Sequence, residues 1–270
     1  MTTLIAASED RRITLRGIID NRWTIGAIAV LVLLIIWQVL GAGAPFVVST
    51  PSAILQAGIE RFVPEVLPAF GETLKGLAVG FGISIVVGIP LGLLMSYSRV
   101  VELALAPYVS ALYATPRIVL IPILVLLLGI SFNMRVGIVV LSAVFPILLN
   151  TYLGGKEVNQ GLLDVGRAFT ARPLKMYTSI LLRGSLPYVF TGIRLGLGRG
   201  LIGVIIAEVA TSAGGVGNSI SNYAKYFRVD AMFVMIVLLG ILAMVLTGII
   251  GRLENYFTAP WARATKRVKK

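Results

Sequence analysis

Long stretches without a single charged residue constrain the fold of this chain more than any other feature. Gly76–Tyr97, Val136–Gly155 and Ala231–Gly251 contain no Asp, Glu, Lys or Arg. A helix needs about 20 predominantly apolar residues to cross a bilayer, and each stretch has that length. Charged residues make up 13% of the chain, against roughly 25% in soluble domains. The sequence therefore predicts an all-α membrane protein.

Three further segments are apolar enough to bring the predicted number of transmembrane helices to about six. These segments are Thr24–Leu40, which is short for a span, Leu103–Ile130, which is over-long, and Leu186–Val209. The over-long segment should be kinked or partly broken, because proline removes a backbone donor and crowds the preceding turn. Its three prolines are Pro107, Pro116 and Pro122.

The positive charges predict the orientation of these spans. With six crossings both chain termini lie on one side, and most of the 24 Lys and Arg residues fall on that side. Cytoplasmic loops carry such an excess of positive charge, so we expect both termini in the cytoplasm. The net charge of +12 is then mainly a topology signal, and we expect no nucleic-acid partner.

The resulting organisation has four parts. We expect a cytoplasmic tail (1–23), a first span with an external segment (24–75), a core of five spans (76–257) containing a cytoplasmic loop (156–185), and a basic cytoplasmic tail (258–270). Thr50-Pro51-Ser52 should open an amphipathic helix in the external segment. Ala42-Gly43-Ala44 resembles a signal-peptidase site, but Pro45 follows it, so we expect an uncleaved anchor.

Composition excludes most catalytic chemistry. The chain contains neither Cys nor His, which removes thiol nucleophiles, disulfides, His-ligated metals and imidazole acid–base catalysis. It also lacks the motifs HExxH, GxSxG and GxxxxGK[ST]. We therefore expect no enzymatic activity, no metal and no bound cofactor in this chain.

Glycines recur four residues apart within the spans. Since four residues are about one helical turn, each set forms a bare strip where another helix backbone can approach closely. Such strips predict tight helix packing, between helices that can also rock against each other. The sets are Gly76 and Gly80, Gly88 and Gly92, and Gly192, Gly196 and Gly200.

Four charged residues lie inside the predicted spans, where charge is costly and usually faces a partner or a cavity. Arg194 and Arg199 are near the cytoplasmic start of the fifth span and can extend to the interface. Glu208, near the external end, can pair with an arginine or line a pathway. All three are candidates for a translocation pathway.

Arg117 is the fourth and follows the predicted break at Thr115-Pro116. Backbone groups released at a break, together with a fixed cation, can bind an anion. A structural role for Arg117, in a pair with Glu102 or Glu208, fits the sequence equally well. Both alternatives stay open at this point.

The cytoplasmic segment Leu162–Pro187 is polar and basic between two apolar spans. Leu162, Val165 and Phe169 recur at helical spacing, and the pattern resumes after Pro173. We therefore expect two short amphipathic helices, separated at Pro173. Their apolar faces need a partner, which could be the membrane surface, the chain's own spans or another protein.

Several segments resemble the binding-protein-dependent permeases of ABC importers, in family order and spacing. The resemblance covers about residues 50–257 and is to the nitrate/sulfonate/taurine branch. The segments are GIPLGLLMSYSR (88–99), YATPRIVLIPILVLLLGI (113–130), FPILLNTYLG (145–154) and LPYVFTGIRLGLGRGLIGVIIAE (186–208). The resemblance implies a homodimeric permease with two cytoplasmic ATPase subunits, which bind the ATP, and an external solute-binding protein.

The loop is similar to the EAA loop of this family, which docks a coupling helix into a groove on the ATPase. Ile180 and Leu182 agree with the family pattern, whereas Asp164 and Thr170 replace its Glu and Gly. The resemblance implies that the ATPase-coupling residues are Asp164, Val165, Gly166, Arg167, Phe169, Thr170, Ile180 and Leu182.

The sequence is therefore interpreted as the membrane permease subunit of an ATP-driven importer in the bacterial inner membrane. The solute should be small and anionic, although the sequence does not name it. The alternative is a stand-alone channel or facilitator, which would conduct without an ATPase and would not need the amphipathic loop.

Overall fold

A computed structural model describes the backbone of residues 22–43, 47–212 and 214–268, and the side chains of residues 24–43, 47–212 and 214–258. The predicted tail 1–23 falls almost wholly outside this range, as does Pro45. Every regular element of the described residues is helical, which confirms the all-α prediction. The α-helices are α1 (Arg22–Gly43), α2 (Pro51–Arg61), α3 (Leu67–Tyr97), α4 (Arg99–Ala114), α5 (Ile121–Leu128), α6 (Phe132–Lys156), α7 (Gln160–Ala168), α8 (Pro173–Lys175), α9 (Leu182–Thr211), α10 (Gly215–Lys225) and α11 (Val229–Val268).

Five helical stretches within the described residues are long and apolar enough to cross a membrane. They are Thr24–Gly43, Pro51–Tyr97, Phe132–Lys156, Pro173–Thr211 and Val229–Thr258. One further crossing, the third in chain order, comes from α4 and the segment Arg117–Leu128, which meet at an angle of 96°. We call the end of the bundle that carries residues 156–185 the loop end, and the end that carries α10 the opposite end.

The bent pair crosses the bundle despite its angle. At its start, Glu102 accepts a hydrogen bond from Lys156 Nζ at 2.8 Å, and Lys156 ends α6 at the loop end. After it, Arg135 near the start of α6 donates to Glu72 at the opposite end, at 3.3 Å. The chain therefore travels from one end to the other between these two residues, and the bundle has about six crossings, as predicted.

The break itself lies where the sequence predicts it. Helix α4 stops at Ala114, and the Thr115 hydroxyl donates to the Ala111 carbonyl at 2.9 Å. Pro116 has no N–H to continue the helix, so the chain turns into a short 3₁₀ turn, Arg117–Leu120, before Pro122 helps to start α5. Pro107, in contrast, lies inside α4 without breaking it.

Helix α6 forms the centre of the bundle, with α3 on one side and α9 on the other. The predicted glycine strips explain this arrangement, because both neighbours present glycines to α6. A Cβ atom at Gly92 would lie 2.5 Å from the Leu148 carbonyl oxygen, and one at Gly196 would lie 3.0 Å from the Ala143 carbonyl oxygen. Only glycine permits backbones this close, so the close packing inferred from the spacing is confirmed.

Helix α2 begins as predicted, because the Thr50 hydroxyl accepts a hydrogen bond from the Ala53 amide at 3.3 Å and caps the helix. It does not end in an external connection. Instead it continues through a π-helical segment, Phe62–Val66, directly into α3. The helix of the second span therefore starts well before Gly76, because no residue between Pro51 and Gly76 breaks it.

The loop differs from its prediction in one respect. Helix α7 is a separate short helix, as expected, but the helix that begins at Pro173 is not. From Pro173 the chain continues through a π-helical segment, Met176–Leu181, into α9 without a break. The polar residues of this region hid that continuity in the sequence, because the fifth span was predicted to start only where the apolar run begins.

Candidate functional site: the α7 corner and the intramembrane charges

Helix α7 is short, and hydrogen bonds cap it at both ends. Its first turn is capped by Asn159, whose side chain accepts from the Gly161 amide at 2.8 Å. Its last turn closes with a hydrogen bond from the Ala171 amide to the Gly166 carbonyl at 3.0 Å. Thr170 adopts a left-handed conformation, with φ of 50°, which reverses the chain as in a Schellman motif. We call residues 164–170 the α7 corner.

The α7 corner presents apolar side chains outward. Phe169 is 81% exposed, and Leu162 and Val165 are more than half exposed. Exposed large apolar groups on a rigid turn commonly mark an interaction site. Asp164 and Arg167 lie on the same exposed surface and form an ion pair of 3.0 Å, which is worth little in water.

The other face of α7 packs onto the start of the fifth span. Gly166 is buried there, and a Cβ atom at this position would lie 2.5 Å from Met176 Sδ and 2.8 Å from Ile180 Cδ1. Leu182 packs into the same apolar cluster. The eight predicted coupling residues thus divide into an exposed set and a packing set. The packing set is Gly166, Ile180 and Leu182.

The chain entering the loop is tied to α4. The Glu102 carboxylate accepts from Lys156 at 2.8 Å and from the Tyr152 hydroxyl at 2.7 Å, and it also pairs with Arg99 at 3.1 Å. Glu102 is therefore fully engaged at the loop end and does not pair with Arg117. The end of α6 is consequently held in place where the loop begins.

A second group of polar side chains lies at the opposite end, where Thr73, Arg135 and Glu208 are buried and Glu72 is half exposed. Glu208 has no exposed surface. Its carboxylate accepts from the Thr73 hydroxyl at 2.9 Å and from the Gly217 amide at 2.9 Å, and it lies 3.8 Å from Arg135 Nη1. Arg135 also pairs with Glu72. We call Glu72, Thr73, Arg135 and Glu208 the opposite-end cluster.

The opposite-end cluster fastens α10 to the bundle. The Val216 amide donates to the Thr73 hydroxyl at 2.9 Å, so the first turn of α10 binds both Thr73 and Glu208. A carboxylate at this position also suits the positive end of the helix dipole. Gly214 and Gly215 both have φ of 81°, a conformation that favours glycine and lets the chain turn back over Glu208.

Arg117 has no carboxylate partner among the described residues. Its guanidinium lies over the Tyr113 ring, 5.4 Å from the ring centroid. Its Nε and Nη2 atoms are buried and make no hydrogen bond. Arg199, which is exposed, lies on α9, and the turn that carries Arg117 packs against that helix. We call Arg117 and Arg199 the arginine pair.

Arg194 lies on the same helix as Arg199 but is compensated. It forms an ion pair with Glu254 of α11, so the fifth and sixth crossings are linked near the loop end. Of the four predicted intramembrane charges, two therefore have carboxylate or hydrogen-bond partners within the chain, and the arginine pair does not.

Sequence reasoning missed Thr73, Glu72, Arg135 and the anchoring role of Glu102. Glu72 and Arg135 were read as loop residues because they lie just outside the apolar runs. Thr73 contacts Glu208 across a separation of 135 residues, which no local pattern reveals. The usable signal was the position of Glu208, because a buried carboxylate requires donors nearby.

Comparison with known proteins identifies the family. The sequence profile described as "Binding-protein-dependent transport system inner membrane component" matches residues 84–258, more than half of the chain. The nitrate import permease protein NrtB of Synechocystis sp. is 30% identical over 243 residues, covering 85% of this chain and 87% of that protein. The formylaminopyrimidine transport permease protein ThiX of Halalkalibacterium halodurans is 29% identical over 235 residues, covering 86% and 94%.

A solved structure shows the same fold. An inward-facing conformation of the MetNI methionine ABC transporter matches with a TM-score of 0.65 and 22% identity, covering 71% of this chain and 95% of that chain. Profile, relatives and architecture agree. The chain therefore belongs to the binding-protein-dependent inner membrane components, and it is a multi-pass permease subunit of an ABC importer of the nitrate/sulfonate branch.

Proposed function

We propose that the α7 corner receives the motion of a cytoplasmic ATPase and passes it to the spans, and that the solute moved is a small anion. The observation that carries the proposal is the exposure of Phe169 and Val165 on a helix whose other face is rigidly packed. Such a surface needs a partner, and a separate ATPase supplies one in this family. The loop end then faces the cytoplasm, as does the positive charge around it.

The packing of α7 gives a route for the motion. Buried Gly166 seats α7 on Met176 and Ile180, and that segment continues into α9 without a break. A force on the α7 corner therefore acts on the whole fifth crossing. The glycine contacts between α9 and α6 are flat enough to allow one helix to shift against the other, so a push at the loop end can change the spacing of the spans.

The complete importer would contain more chains than this one. We propose two ATPase subunits, a second copy of this permease and an external solute-binding protein. The resemblance to the family's homodimeric permeases supports the second copy. A stand-alone facilitator would leave the exposed face of the α7 corner without a partner, and no observation favours it.

We propose that the arginine pair lines the translocation pathway. Uncompensated cations inside a bundle usually face a cavity or a route for ions. Arg194 and Glu208, which the sequence also suggested for the pathway, have protein partners, so we assign them structural roles. The relatives' names differ in solute, nitrate for one and formylaminopyrimidine for another, so the anionic solute rests on the charges of this chain.

Co-purification with an ABC ATPase subunit co-expressed with this permease tests the coupling proposal. Phe169→Asp places a charge on the exposed side of the α7 corner and should abolish the complex, while the permease remains folded. Tyr226→Asp is the matched control. Tyr226 is an aromatic residue 76% exposed at the end of α10, and it precedes a left-handed residue, Phe227, as Phe169 precedes Thr170.

Thermal unfolding distinguishes a residue that docks onto the ATPase from a residue that packs α7 against its own chain. Gly166→Asp should also prevent assembly, but by unfolding the corner, so its thermal unfolding midpoint should fall whereas that of Phe169→Asp should not. A Phe169→Asp permease that still binds its ATPase and still transports would rule out the proposed docking surface.

A further inference from the structure

The guanidinium of Arg117 offers one complete edge that none of the described residues uses. Tyr113 covers its face, as a cation–π contact requires. The two unpartnered atoms, Nε and Nη2, stand on the same edge of the planar group, and their N–H bonds point the same way. This edge is the one that binds two oxygens of an oxyanion at once.

The surroundings of this edge are positive and contain no competing anion. Glu102 is occupied by Lys156, Tyr152 and Arg99, and Glu208 by the opposite-end cluster. Arg199 adds a second positive charge on α9, the helix against which the turn that carries Arg117 packs. Buried N–H groups without hydrogen-bond partners are costly, so an anion on this edge would supply the hydrogen bonds that the described residues do not.

The position of the arginine pair matches a point of passage rather than an interface. Arg117 lies between Glu102, at the loop end, and Arg135, at the opposite end, so it lies well inside the crossing. It belongs to the 3₁₀ turn at the 96° break, which packs against both α6 and α9. Irregular backbone at such depth is tolerated where it is buried in protein or lines a cavity.

We propose that Arg117 and Arg199 form a binding site for a small oxyanion at the break between α4 and α5, with two anion oxygens on the Nε–Nη2 edge of Arg117. Nitrate, sulfonates and carboxylates share the required pair of oxygens. The proposal rests on the proposed function, since it gives the chemistry of the pathway. In the conformation described the edge is covered by protein atoms, so the anion reaches it when the 3₁₀ turn moves, and binding depends on the state of the transporter.

Direct titration of the assembled permease–ATPase complex tests this site. The complex is placed in nanodiscs without the solute-binding protein and titrated calorimetrically with sodium nitrate, sodium methanesulfonate and sodium acetate. Choline chloride keeps the ionic strength constant, and the series is run without nucleotide and with a slowly hydrolysed ATP analogue. We expect saturable binding of at least one oxyanion in at least one nucleotide state.

Three variants assign that binding to the arginine pair. Arg117→Lys keeps the charge but loses the planar edge, and losing one charge-assisted hydrogen bond should weaken the affinity at least about tenfold. Arg199→Ala should weaken it through loss of the second charge. Arg194→Ala, on the same helix as Arg199 but paired with Glu254, should leave the affinity unchanged.

The results also distinguish this site from the importer assignment. No saturable binding of any of the three anions in either nucleotide state, or equal affinities in wild type, Arg117→Lys and Arg199→Ala, would overturn the oxyanion site. Loss of the complex in Phe169→Asp would still hold in that case, and the proposed coupling would stand. Conversely, retained ATPase binding in Phe169→Asp removes the docking surface and leaves the anion titration intact.

Discussion

Two groups of charged side chains near α6 and α9 differ in whether carboxylates compensate their positive charges. In the opposite-end cluster, Arg135 has two carboxylate neighbours, and Glu208 accepts hydrogen bonds from Thr73 and from the first turn of α10. In the arginine pair, neither cation has a carboxylate partner among the described residues. Both groups lie on or against α6 and α9, so their difference does not come from a different scaffold.

The comparison distinguishes charged residues with a structural role from charged residues with a functional role. A charge that is kept inside a membrane protein and satisfied by neighbours contributes to one fixed arrangement, here the attachment of α10. A charge that is kept but left unsatisfied costs free energy in the resting protein, and such costs are concentrated at functional sites. The opposite-end cluster therefore acts as a fastener for α10, and we propose that the arginine pair is a ligand-binding site.

The largest expected effect comes from breaking the fastener. Glu208→Ala leaves Arg135 without one carboxylate and leaves the Gly217 amide and the Thr73 hydroxyl without their acceptor. Removing one partner of a buried charge group typically costs about 3–5 kcal/mol in the free energy of unfolding. We expect a sharp fall in the thermal unfolding midpoint and in the yield of monodisperse protein, measured on the purified permease–ATPase complex.

Glu60→Ala is the control for that experiment, because Glu60 is exposed on α2 and accepts only from Gln56. Its unfolding midpoint should match wild type. An unfolding midpoint of Glu208→Ala equal to that of Glu60→Ala would mean that the opposite-end cluster does not fasten α10, and the contrast between the two groups would disappear.

A smaller effect on stability is expected when one arginine in each group is replaced by methionine, and only the variant in the opposite-end cluster should lose stability. Arg135→Met removes the cation that Glu72 and Glu208 share, and it should lower stability by about 1–3 kcal/mol, the cost of leaving charged partners unsatisfied. Arg117→Met removes an unsatisfied charge and keeps the apolar stem, so it should leave the stability unchanged or raise it. Thermal unfolding of the two variants in parallel measures this.

Transport supplies the second readout for this pair. Arg117→Met should abolish uptake in proteoliposomes without loss of stability, whereas Arg135→Met should reduce uptake in proportion to the folded protein. If Arg117→Met is as destabilised as Arg135→Met, the arginine pair is structural, and the distinction between a fastener and a site does not hold.

Much of the architecture could be predicted from the sequence because it depends on local patterns. The apolar runs predicted the crossings, and Pro116 predicted the break between α4 and α5. Thr50 predicted the start of α2, and the glycine spacing predicted the close packing against α6. Each of these features is decided within one or two helical turns. Continuity of α2 with α3, and of Pro173 with α9, was missed because a polar helix extending beyond the membrane looks like a loop.

The site could be predicted only in part, because it depends on distances between remote residues. The sequence showed that Glu208 and Arg117 are costly where they are, but not which would find a partner. Glu208 is satisfied by Thr73, which lies 135 positions away, whereas the Nε and Nη2 atoms of Arg117 find no hydrogen-bond partner in the part of the chain that the structure describes. Likewise, the pattern marked Gly166 and Phe169 alike for coupling, although one is packed inside and the other exposed.

The smallest expected effect belongs to Arg194, which lies between the two extremes of the comparison. It has a carboxylate partner, Glu254, as Arg135 of the opposite-end cluster has Glu72, but both side chains of the Arg194–Glu254 pair remain partly exposed near the loop end. Exposed ion pairs contribute about 0–1 kcal/mol. We therefore expect Arg194→Ala to shift the unfolding midpoint by little and to leave oxyanion affinity unchanged. Glu254→Gln should behave in the same way, since each variant removes the same pair. A large loss of stability in both variants would show that a single ion pair between α9 and α11 is enough to hold these crossings together. The number of hydrogen-bonded partners would then no longer explain why the opposite-end cluster is the stronger fastener.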